Sequence, residues 1–411
     1  MTTLQTILEF AFWFSLAAVF YAYLGYPVVI YLLARAFGRR RTQVAQLSDG
    51  ELPSASLLIA AHNEESVIEA RLQNALAADY PKEKWEVVVV ADGCSDRTSA
   101  IVRSYADRGV RLLDMSPRRG KSQALNDAMP RLKGEIVILS DANTDHHPQA
   151  ARRLASWYAH STVTTVCGRL ILTDHATGRN VDGLYWRYET FIKKQEGALG
   201  ALLGANGAIY AIRRNRYVPV PPNNVVDDFV IPLLAKLRHG GELVYDSSAV
   251  AYEETAPNIQ IEFHRRSRIG AGGFGSLRLL AGLLNPARGW LCLAFLSHKV
   301  LRWCCPFFLL ALLASSALLA ASPLYAGFLV LQLAFYATAA VAAYLPGRGL
   351  AFRVMRLSSM FTSMNAALLF GFVRWLCNLQ RATWQRTARG VQPYAVELPG
   401  AAPSAGKAVL P

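Results

Sequence analysis

The pattern of apolar positions along the chain predicts four membrane segments. An uncharged stretch runs from Phe10 to Ala34, and a second, from Trp303 to Gly347, is long enough for two helices that turn near Ser322-Pro323. A helix needs roughly 20 residues to cross a hydrocarbon core of about 30 Å. The fourth stretch, Leu357 to Val373, is short and contains several polar side chains, so we expect it either to pack against other helices or to re-enter the membrane.

These segments predict how the chain is organised. Basic residues beside a span mark its cytoplasmic side, and arginines follow both the first span and the third. We therefore expect a multi-pass protein of the inner membrane with a cytoplasmic middle domain. A full crossing by the fourth segment would break this rule, so either it does not cross or the rule fails there. The predicted parts are an anchor in residues 1–41 (span about 10–34), a globular domain in 42–289, a membrane region in 290–377 (spans about 304–321, 324–345 and 357–376), and a basic, then disordered tail in 378–411.

Within the middle domain, short apolar runs alternate with amphipathic patterns of helical length. This alternation indicates an α/β domain built from βαβ units, with a parallel sheet covered on both faces. The predicted strands are Ser56–Ala61, Trp85–Ala91, Val110–Leu113 and Glu135–Ser140, and the predicted helices are Glu64–Ala78, Asp96–Asp107 and Lys121–Leu132.

Composition narrows the class of protein. The 411 residues are 53% hydrophobic and only 18% charged, against about 25% in ordinary soluble domains, which excludes a disordered chain or a small disulfide scaffold. The net charge of +14 indicates anionic partners. Because no nucleic-acid-reading motif is present, we expect lipid headgroups and a phosphate-bearing substrate instead. The six cysteines fit no zinc spacing, and we expect no disulfides in a cytoplasmic domain.

Polar clusters follow three of the predicted strands, at residues 62–65, 92–96 and 141–143. Ligands of open parallel sheets bind outside the carboxyl ends of the strands. Helix capping is the alternative, and it accounts for Ser95 and Asp96 better than for all three clusters. No glycine-rich dinucleotide or P-loop motif follows these strands. Acids beside a phosphate require a divalent cation between them, so the expected cofactor is Mg²⁺ or Mn²⁺.

Six short motifs together resemble one family. On these motifs the chain is similar to the membrane-bound family-2 glycosyltransferases, the group of the chitin, hyaluronan, cellulose and poly-N-acetylglucosamine synthases. The resemblance covers roughly residues 50 to 300 and implies a GT-A fold, the α/β fold of nucleotide-diphospho-sugar transferases, beside transmembrane helices. The motifs, in chain order, are Ala60–Glu65, Ala91–Thr98, Gly120–Asn126, Ser140–Asn143, Gly204–Gly207 and Asp227-Asp228.

The resemblance also implies donor and metal sites. Asp92 would hold the uridine or ribose of a sugar nucleotide, and Asp141 would hold the cation that bridges the diphosphate. Asn143 replaces the second acid of the family's D-x-D, so the metal should bind more weakly. The other donor-binding candidates are Asn63, Glu65 and Lys121, which lie in the first three motifs, together with Arg265 and Arg268. A solvated surface loop is the alternative for Lys121.

The family often has Q-x-x-R-W shortly before the membrane, and here Arg265, Arg268 and Ile269 stand at the Gln, Arg and Trp positions. Arg268 can still make bidentate contacts with a phosphate. A basic membrane flank is the alternative for Arg265 and Arg266. The missing tryptophan removes a surface on which an acceptor sugar would stack, which puts processive synthesis in doubt.

Asp227 and Asp228 precede an apolar helix and are the candidate catalytic pair. Inverting transfer needs a base, and adjacent acids favour a raised pKa in one of them. By the resemblance Asp228 is the base, whereas Asp227 is the better candidate for capping the helix. The glycines around Asn206 permit close backbone approach, so we expect an acceptor region at Gly204, Asn206 and Gly207.

The expected function is inverting transfer of a sugar from a nucleotide-diphosphate donor, preferably a UDP-sugar, to a lipid-linked or growing polysaccharide acceptor in envelope or exopolysaccharide synthesis. Two alternatives remain open: transfer of a single sugar to a lipid carrier without polymerisation, and a non-catalytic membrane protein that senses nucleotides. A sensor has no need for Asp228. A transporter is disfavoured because the long spans contain no charge.

Overall fold

A computed structural model describes residues 3–39, 47–173, 183–254, 259–342 and 350–380. Its centre is one sheet of eight strands in the order β3-β2-β1-β4-β7-β6-β8-β5. The strands are β1 Ala55–Ala61, β2 Trp85–Asp92, β3 Val110–Met115, β4 Ile136–Asp141, β5 Thr144–His146, β6 Val163–Thr173, β7 Tyr210–Arg213 and β8 Glu242–Glu254.

The first four strands named in that order form a parallel half-sheet, and all four were predicted within two residues of their ends. Strand β1 pairs in parallel with both β2 and β4. Its seven residues are all buried, as expected of a strand covered on both faces. Asp92 is the last residue of β2 and Asp141 the last residue of β4, so both predicted clusters lie at the carboxyl edge of the sheet.

The other half of the sheet is mixed, so the prediction of a parallel sheet is correct for only part of it. Strand β7 runs antiparallel to both β4 and β6, and β5 runs antiparallel to β8. The long strands β6 and β8 are only partly buried along their second halves. These positions therefore lack the continuous apolar run by which the buried strands were recognised.

The α-helices of the described residues surround the sheet and continue away from it. They are α1 Thr3–Phe20, α2 Tyr26–Phe37, α3 Ile68–Leu76, α4 Thr98–Arg103, α5 Lys121–Ala128, α6 Ala150–Ser156, α7 Leu184–Ala198, α8 Asp227–His239, α9 Ile259–Ser276, α10 Trp290–Ala294, α11 Leu301–Leu318, α12 Pro323–Ala342 and α13 Leu350–Leu376. Helices α3 to α5 are shorter than predicted. The residues of the predicted segments that precede α3 and α4 lie in loops and turns, and the segment after α5 continues as a 3-10 turn, Met129–Arg131.

Three of the helical units are long and apolar enough to cross a membrane: residues 3–37, 290–318 and 323–342. The first joins α1 to α2, and the second joins α10 to α11, each through one π-helical stretch. The chain turns between α11 and α12 at Ser322-Pro323, as predicted.

Helix α13 contains the predicted fourth segment but begins earlier, at Leu350. It lies directly against α9, since a Cβ added to Gly371 would be 2.6 Å from the carbonyl oxygen of Ser267. The segment thus packs against another helix, one of the two alternatives expected for it, and its relation to the membrane stays a prediction. The predicted disordered tail lies outside the described residues from position 381 onward.

The globular domain and the apolar helices share one core. Leu58 of β1 and Val88 of β2 belong to a buried cluster that also contains Phe295 and Trp303 of the 290–318 helix. The opposite face of the sheet packs against α3 and α6. The first part of the 290–318 helix is therefore fixed to the sheet that carries the site.

Candidate active site

Asp92 orders the loop that precedes α5. Its carboxylate is 1% exposed and accepts hydrogen bonds from the backbone N–H groups of Arg119 and Gly120, both over 2.7 Å. Gly120 has a φ of 93°, which favours glycine. Asp92, the residue predicted to bind the nucleotide, thus lies at the edge of the sheet. Its carboxylate oxygens hold the turn that precedes Lys121.

Asn63 and Glu65 link the loops after β1 and β2. The Asn63 side chain accepts from the Ser95 N–H over 2.8 Å, and Glu65 accepts from the Arg97 N–H over 3.1 Å. The capping role expected for Ser95 and Asp96 is not found, because the N-cap residue of α4 is Arg97 and its side chain makes no capping bond. Asp96 accepts from the Thr98 N–H over 2.9 Å just before the helix, and Ser95 bonds with Asn63 instead. These contacts shape the mouth of the site, and a donor-binding role for Asn63 and Glu65 stays a prediction.

Lys121 joins two acids that are far apart in the sequence. Its Nζ lies 2.7 Å from Asp141 and 3.1 Å from Asp227. Burial alone would lower the pKa of Lys121, but the two carboxylates raise it well above its ordinary value. Lys121 therefore carries a fixed positive charge between the end of β4 and the start of α8.

Asp228 lies beside this ion-pair cluster with one oxygen directed to the Gly204–Gly207 loop. The N–H of Gly207 donates to Asp228 Oδ2 over 3.0 Å. Burial and the adjacent charge of Asp227 raise the pKa of Asp228, while Lys121 opposes the rise. A carboxylate with a raised pKa is better suited to accept a proton near neutral pH.

Gly207 leaves open the space between two acids. A Cβ at this position would lie 3.4 Å from a carboxylate oxygen of Asp141 and 3.4 Å from one of Asp228. Gly204, with a φ of +82°, lets the loop pass the first turn of α8, where Ala205 N–H donates to the Asp228 carbonyl. The predicted acceptor loop and the predicted catalytic pair are thus in direct contact.

Asp141 and Asn143 are the predicted metal ligands. The Asn143 amide donates to Glu253 of β8 over 3.3 Å, and Asp141 uses one oxygen for Lys121. No group of three or more His, Cys, Asp or Glu within the described ranges could hold a metal ion. Mg²⁺ is often held by only one or two carboxylates together with substrate phosphates, and the exposed side of Asp141 fits an ion bound in that way.

The structure distinguishes the two candidate arginines of α9. Arg265 pairs with Glu262, one turn earlier in the same helix, over 2.9 Å. The guanidinium of Arg268 makes no hydrogen bond or ion pair with the described residues. Burial lowers its pKa, and the nearby carboxylate of Asp227 opposes this shift. A donor-binding role for Arg268 stays a prediction.

Sequence reasoning missed Lys193 of α7. Its ammonium donates to the Asn206 side chain, whose amide in turn donates to the Gly168 carbonyl over 2.6 Å. Lys193 thus supports the loop that contacts Asp228 and also opposes the rise in the pKa of Asp228. Nothing in the mixed polar pattern of α7 distinguishes this lysine from its neighbour Lys194.

A second feature that the sequence did not reveal lies between α7 and the 290–318 helix. His298, 1% exposed, contacts Glu196 over 2.6 Å and Glu189 over 3.3 Å. Arg302 pairs with Glu189 over 2.5 Å, and Tyr26 of α2 donates to Glu196 over 2.8 Å. This buried polar cluster connects α7 to two of the helices that could cross a membrane.

Part of the chain is similar to known glycosyltransferases. Residues 56–216 match the family model of glycosyl transferase family 2. The β-monoglucosyldiacylglycerol synthase of Synechocystis sp. is 27% identical over 234 residues, 54% of this chain and 48% of that protein. The poly-β-1,6-N-acetyl-D-glucosamine synthase of Staphylococcus aureus is 23% identical over 235 residues, 54% of this chain and 55% of that protein. The chain therefore spans about half the length of these relatives.

A solved structure shares the fold over most of the chain. The mannosyltransferase PcManGT from Pyrobaculum calidifontis, in complex with GDP-Man and Mn²⁺, aligns with a TM-score of 0.68 and 22% identity. The alignment covers 90% of this chain and 99% of that one. Residues 56–216 therefore resemble glycosyl transferase family 2, and the globular domain has the GT-A fold that the motifs predict.

Proposed function

We propose that this glycosyltransferase moves a hexose, with inversion, from a nucleotide-diphosphate donor to a lipid-linked or growing polysaccharide acceptor. The observation that carries the proposal is the convergence of Asp141, Asp227 and Asp228 around Lys121, beside the open position at Gly207. The relatives named as glycolipid and polysaccharide synthases support the class of acceptor. A UDP-sugar is the favoured donor, as the family resemblance implies.

Asp228 is the proposed base. It accepts the proton of the acceptor hydroxyl while the hydroxyl oxygen attacks C1 of the donor sugar, opposite the diphosphate. The bond between C1 and the phosphate oxygen breaks, and the nucleoside diphosphate leaves with the bonding electrons, so the configuration at C1 inverts. The raised pKa of Asp228 suits this role because it brings the carboxyl group nearer to neutral pH.

Two cations support the leaving group in this proposal. Arg268, which has no partner among the described residues, can bind the diphosphate in a bidentate manner. Lys121 keeps the carboxylates of Asp141 and Asp227 from repelling the anion. Asp227 is thus a catalytic-site residue that acts by holding Lys121 in position.

A divalent cation completes the proposed donor site. Asp141 would hold Mg²⁺ or Mn²⁺ with Asn143 beside it, and the ion would neutralise charge on the diphosphate. The presence of Mn²⁺ beside GDP-Man in PcManGT supports this assignment. Since Asn143 is uncharged and donates to Glu253, the ion should be held weakly before the donor arrives.

We further propose that the protein is a multi-pass protein of the inner membrane with its GT-A domain on the cytoplasmic side. The helices at 3–37, 290–318 and 323–342 support this arrangement. The division at residues 41, 289 and 377 remains the proposed domain organisation. Helix α13, which lies against α9, does not need to cross in this arrangement.

The deciding experiment incubates the purified, detergent-solubilised protein and its membranes with radiolabelled UDP- and GDP-sugars, with and without Mn²⁺ or Mg²⁺. Incorporation of label into lipid or polymer is the expected result. Failure of every donor to label either fraction would overturn the enzymatic proposal. Donor binding without transfer would instead favour the nucleotide sensor.

A matched pair of variants tests the base. Asp228→Asn should abolish transfer while leaving the affinity for the nucleoside diphosphate close to that of the wild type. Asp107→Asn, at an exposed aspartate before β3, makes the same chemical change outside the site and should leave transfer intact. Full activity of Asp228→Asn would refute the assignment.

A further inference from the structure

A cavity of about 270 Å³ lies where the 3–37 and 290–318 helices meet the sheet domain. Its walls come from the end of α7, the end of α8 and the start of α10. The lining residues include Lys236, Arg288 and Trp290, together with Gly240 and Gly241. None of the described residues used above for sugar transfer lines it.

The charged residues that line this cavity are all positive. Lys236 and Arg288 are cations, and none of the eight described residues in its lining is an acid. Arg288 is exposed, and the Lys236 ammonium donates one hydrogen bond to the Gly200 carbonyl over 2.6 Å. The lining therefore attracts an anion.

The remaining wall lets a ligand approach the backbone. Gly240 and Gly241 both have positive φ, 69° and 80°, and a Cβ on Gly241 would lie 2.0 Å from the Thr164 hydroxyl. This turn must therefore remain free of side chains. The cavity volume corresponds to about nine liquid waters, which is sufficient for a phosphate group with a small polar substituent.

The position of the cavity favours a membrane source for that phosphate. Trp290 begins the 290–318 helix and stacks on Phe37, the last residue of the 3–37 helix, with ring centroids 5.5 Å apart. Leu279, Leu284 and Leu296 are all exposed in the same part of the chain. Tryptophan and exposed apolar side chains next to arginine are typical of the membrane–water interface.

We propose that this cavity binds the phosphate-bearing headgroup of an anionic phospholipid in the leaflet next to the GT-A domain. The site rests on the proposed membrane attachment but not on the proposed sugar transfer. Arg288 and Lys236 contact the lipid phosphate, Trp290 lies at the level of the ester groups, and the glycine turn leaves room for the polar substituent.

The test is native mass spectrometry of the full chain in detergent, titrated with phosphatidylglycerol or phosphatidylcholine. Phosphatidylglycerol should bind more tightly than phosphatidylcholine. Arg288→Gln and Lys236→Gln should each lower the affinity for phosphatidylglycerol about fivefold, which is the contribution of one basic residue near an anionic surface. Arg278→Gln is the matched control, because Arg278 is exposed in the same part of the chain but does not line the cavity. Its lipid affinity should not change.

Several outcomes would overturn the proposal. One is equal affinity for phosphatidylglycerol and phosphatidylcholine, and another is a loss of lipid affinity in Arg278→Gln as large as that in Arg288→Gln. A third is that inorganic phosphate displaces no lipid but itself binds in a way that depends on Arg288. The last outcome would assign the cavity to a soluble phosphate compound. The exposed Arg288 side chain makes no hydrogen bond or ion pair with the described residues, so its variant should fold. The thermal midpoint checks this, and Lys236→Gln provides an independent variant. The readout needs no donor sugar, so it remains informative if the sugar-transfer proposal fails.

Discussion

The ammonium group of Lys121 lies 2.7 Å from Asp141, and this ion pair joins the start of α5 to the end of β4. Asp227 of α8 adds a second carboxylate at 3.1 Å. One cation therefore holds together acids from two distant parts of the chain. It also reduces the negative potential that an incoming diphosphate meets, so an acidic site can accept an anionic donor.

Lys121→Met should reduce kcat/KM for the donor by about a hundredfold, the scale seen when one preorganised electrostatic contact is lost. Without the ammonium, Asp141 and Asp227 repel each other and the diphosphate. Lys121→Arg should restore part of the activity because it retains the charge. Steady-state kinetics with varied donor will measure both effects, and wild-type kinetics in Lys121→Met would show that the ion pair plays no part in catalysis.

The pH dependence of transfer should report on Lys193. The ionised form of Asp228 is the base, so activity falls as the pH drops through the pKa of Asp228. Because Lys193 lowers that pKa, Lys193→Met should raise it and move the acid limb of kcat to higher pH. Lys194→Met removes an exposed lysine from the same helix and should leave the limb in place. An unchanged limb in Lys193→Met would contradict the role given to Lys193.

The edge of the parallel half-sheet could be predicted because its signals are local. Strand β2 is an apolar run that ends at Asp92, and β4 is one that ends at Asp141. The Arg265–Glu262 pair could also be predicted from the sequence, since its residues are three positions apart on one helix. The contact between Lys193 and Asn206 could not be predicted from the sequence, because it depends on how α7 packs against a loop. The same is true of the ion pair of Arg302 with Glu189 and its hydrogen bond to Tyr188, because both partners are more than a hundred positions away.

Gly207→Ala should impair transfer without unfolding the protein. The added methyl group would lie 3.4 Å from carboxylate oxygens of Asp141 and Asp228, in the space where the reacting groups must meet. We expect kcat to fall at least about tenfold, because small displacements of reacting groups have large effects on rate. Gly50→Ala is the control, since a Cβ there meets nothing within 4 Å. Equal kcat values for the two variants would show that the open position is not used.

The buried pair of Glu189 and Arg302 should fix α7 to the 290–318 helix. Both residues are less than a tenth exposed, and Arg302 also donates to the Tyr188 hydroxyl over 3.1 Å. Arg302→Met would leave Glu189 buried with one partner fewer, a change that typically costs about 3–5 kcal/mol. The midpoint of thermal unfolding in detergent should therefore fall by several degrees.

The double variant Glu189→Gln/Arg302→Met separates the charge pair from simple packing. It removes both charges, so no carboxylate remains buried without its main partner, and its thermal midpoint should lie above that of Arg302→Met. Glu262→Gln disrupts the partly exposed pairs with Arg265 and Arg266 and should change the midpoint little, as more exposed ion pairs contribute about 1 kcal/mol or less. If the double variant were no more stable than Arg302→Met, the loss would come from the arginine's packing, and the ion pair could not be what joins the two helices.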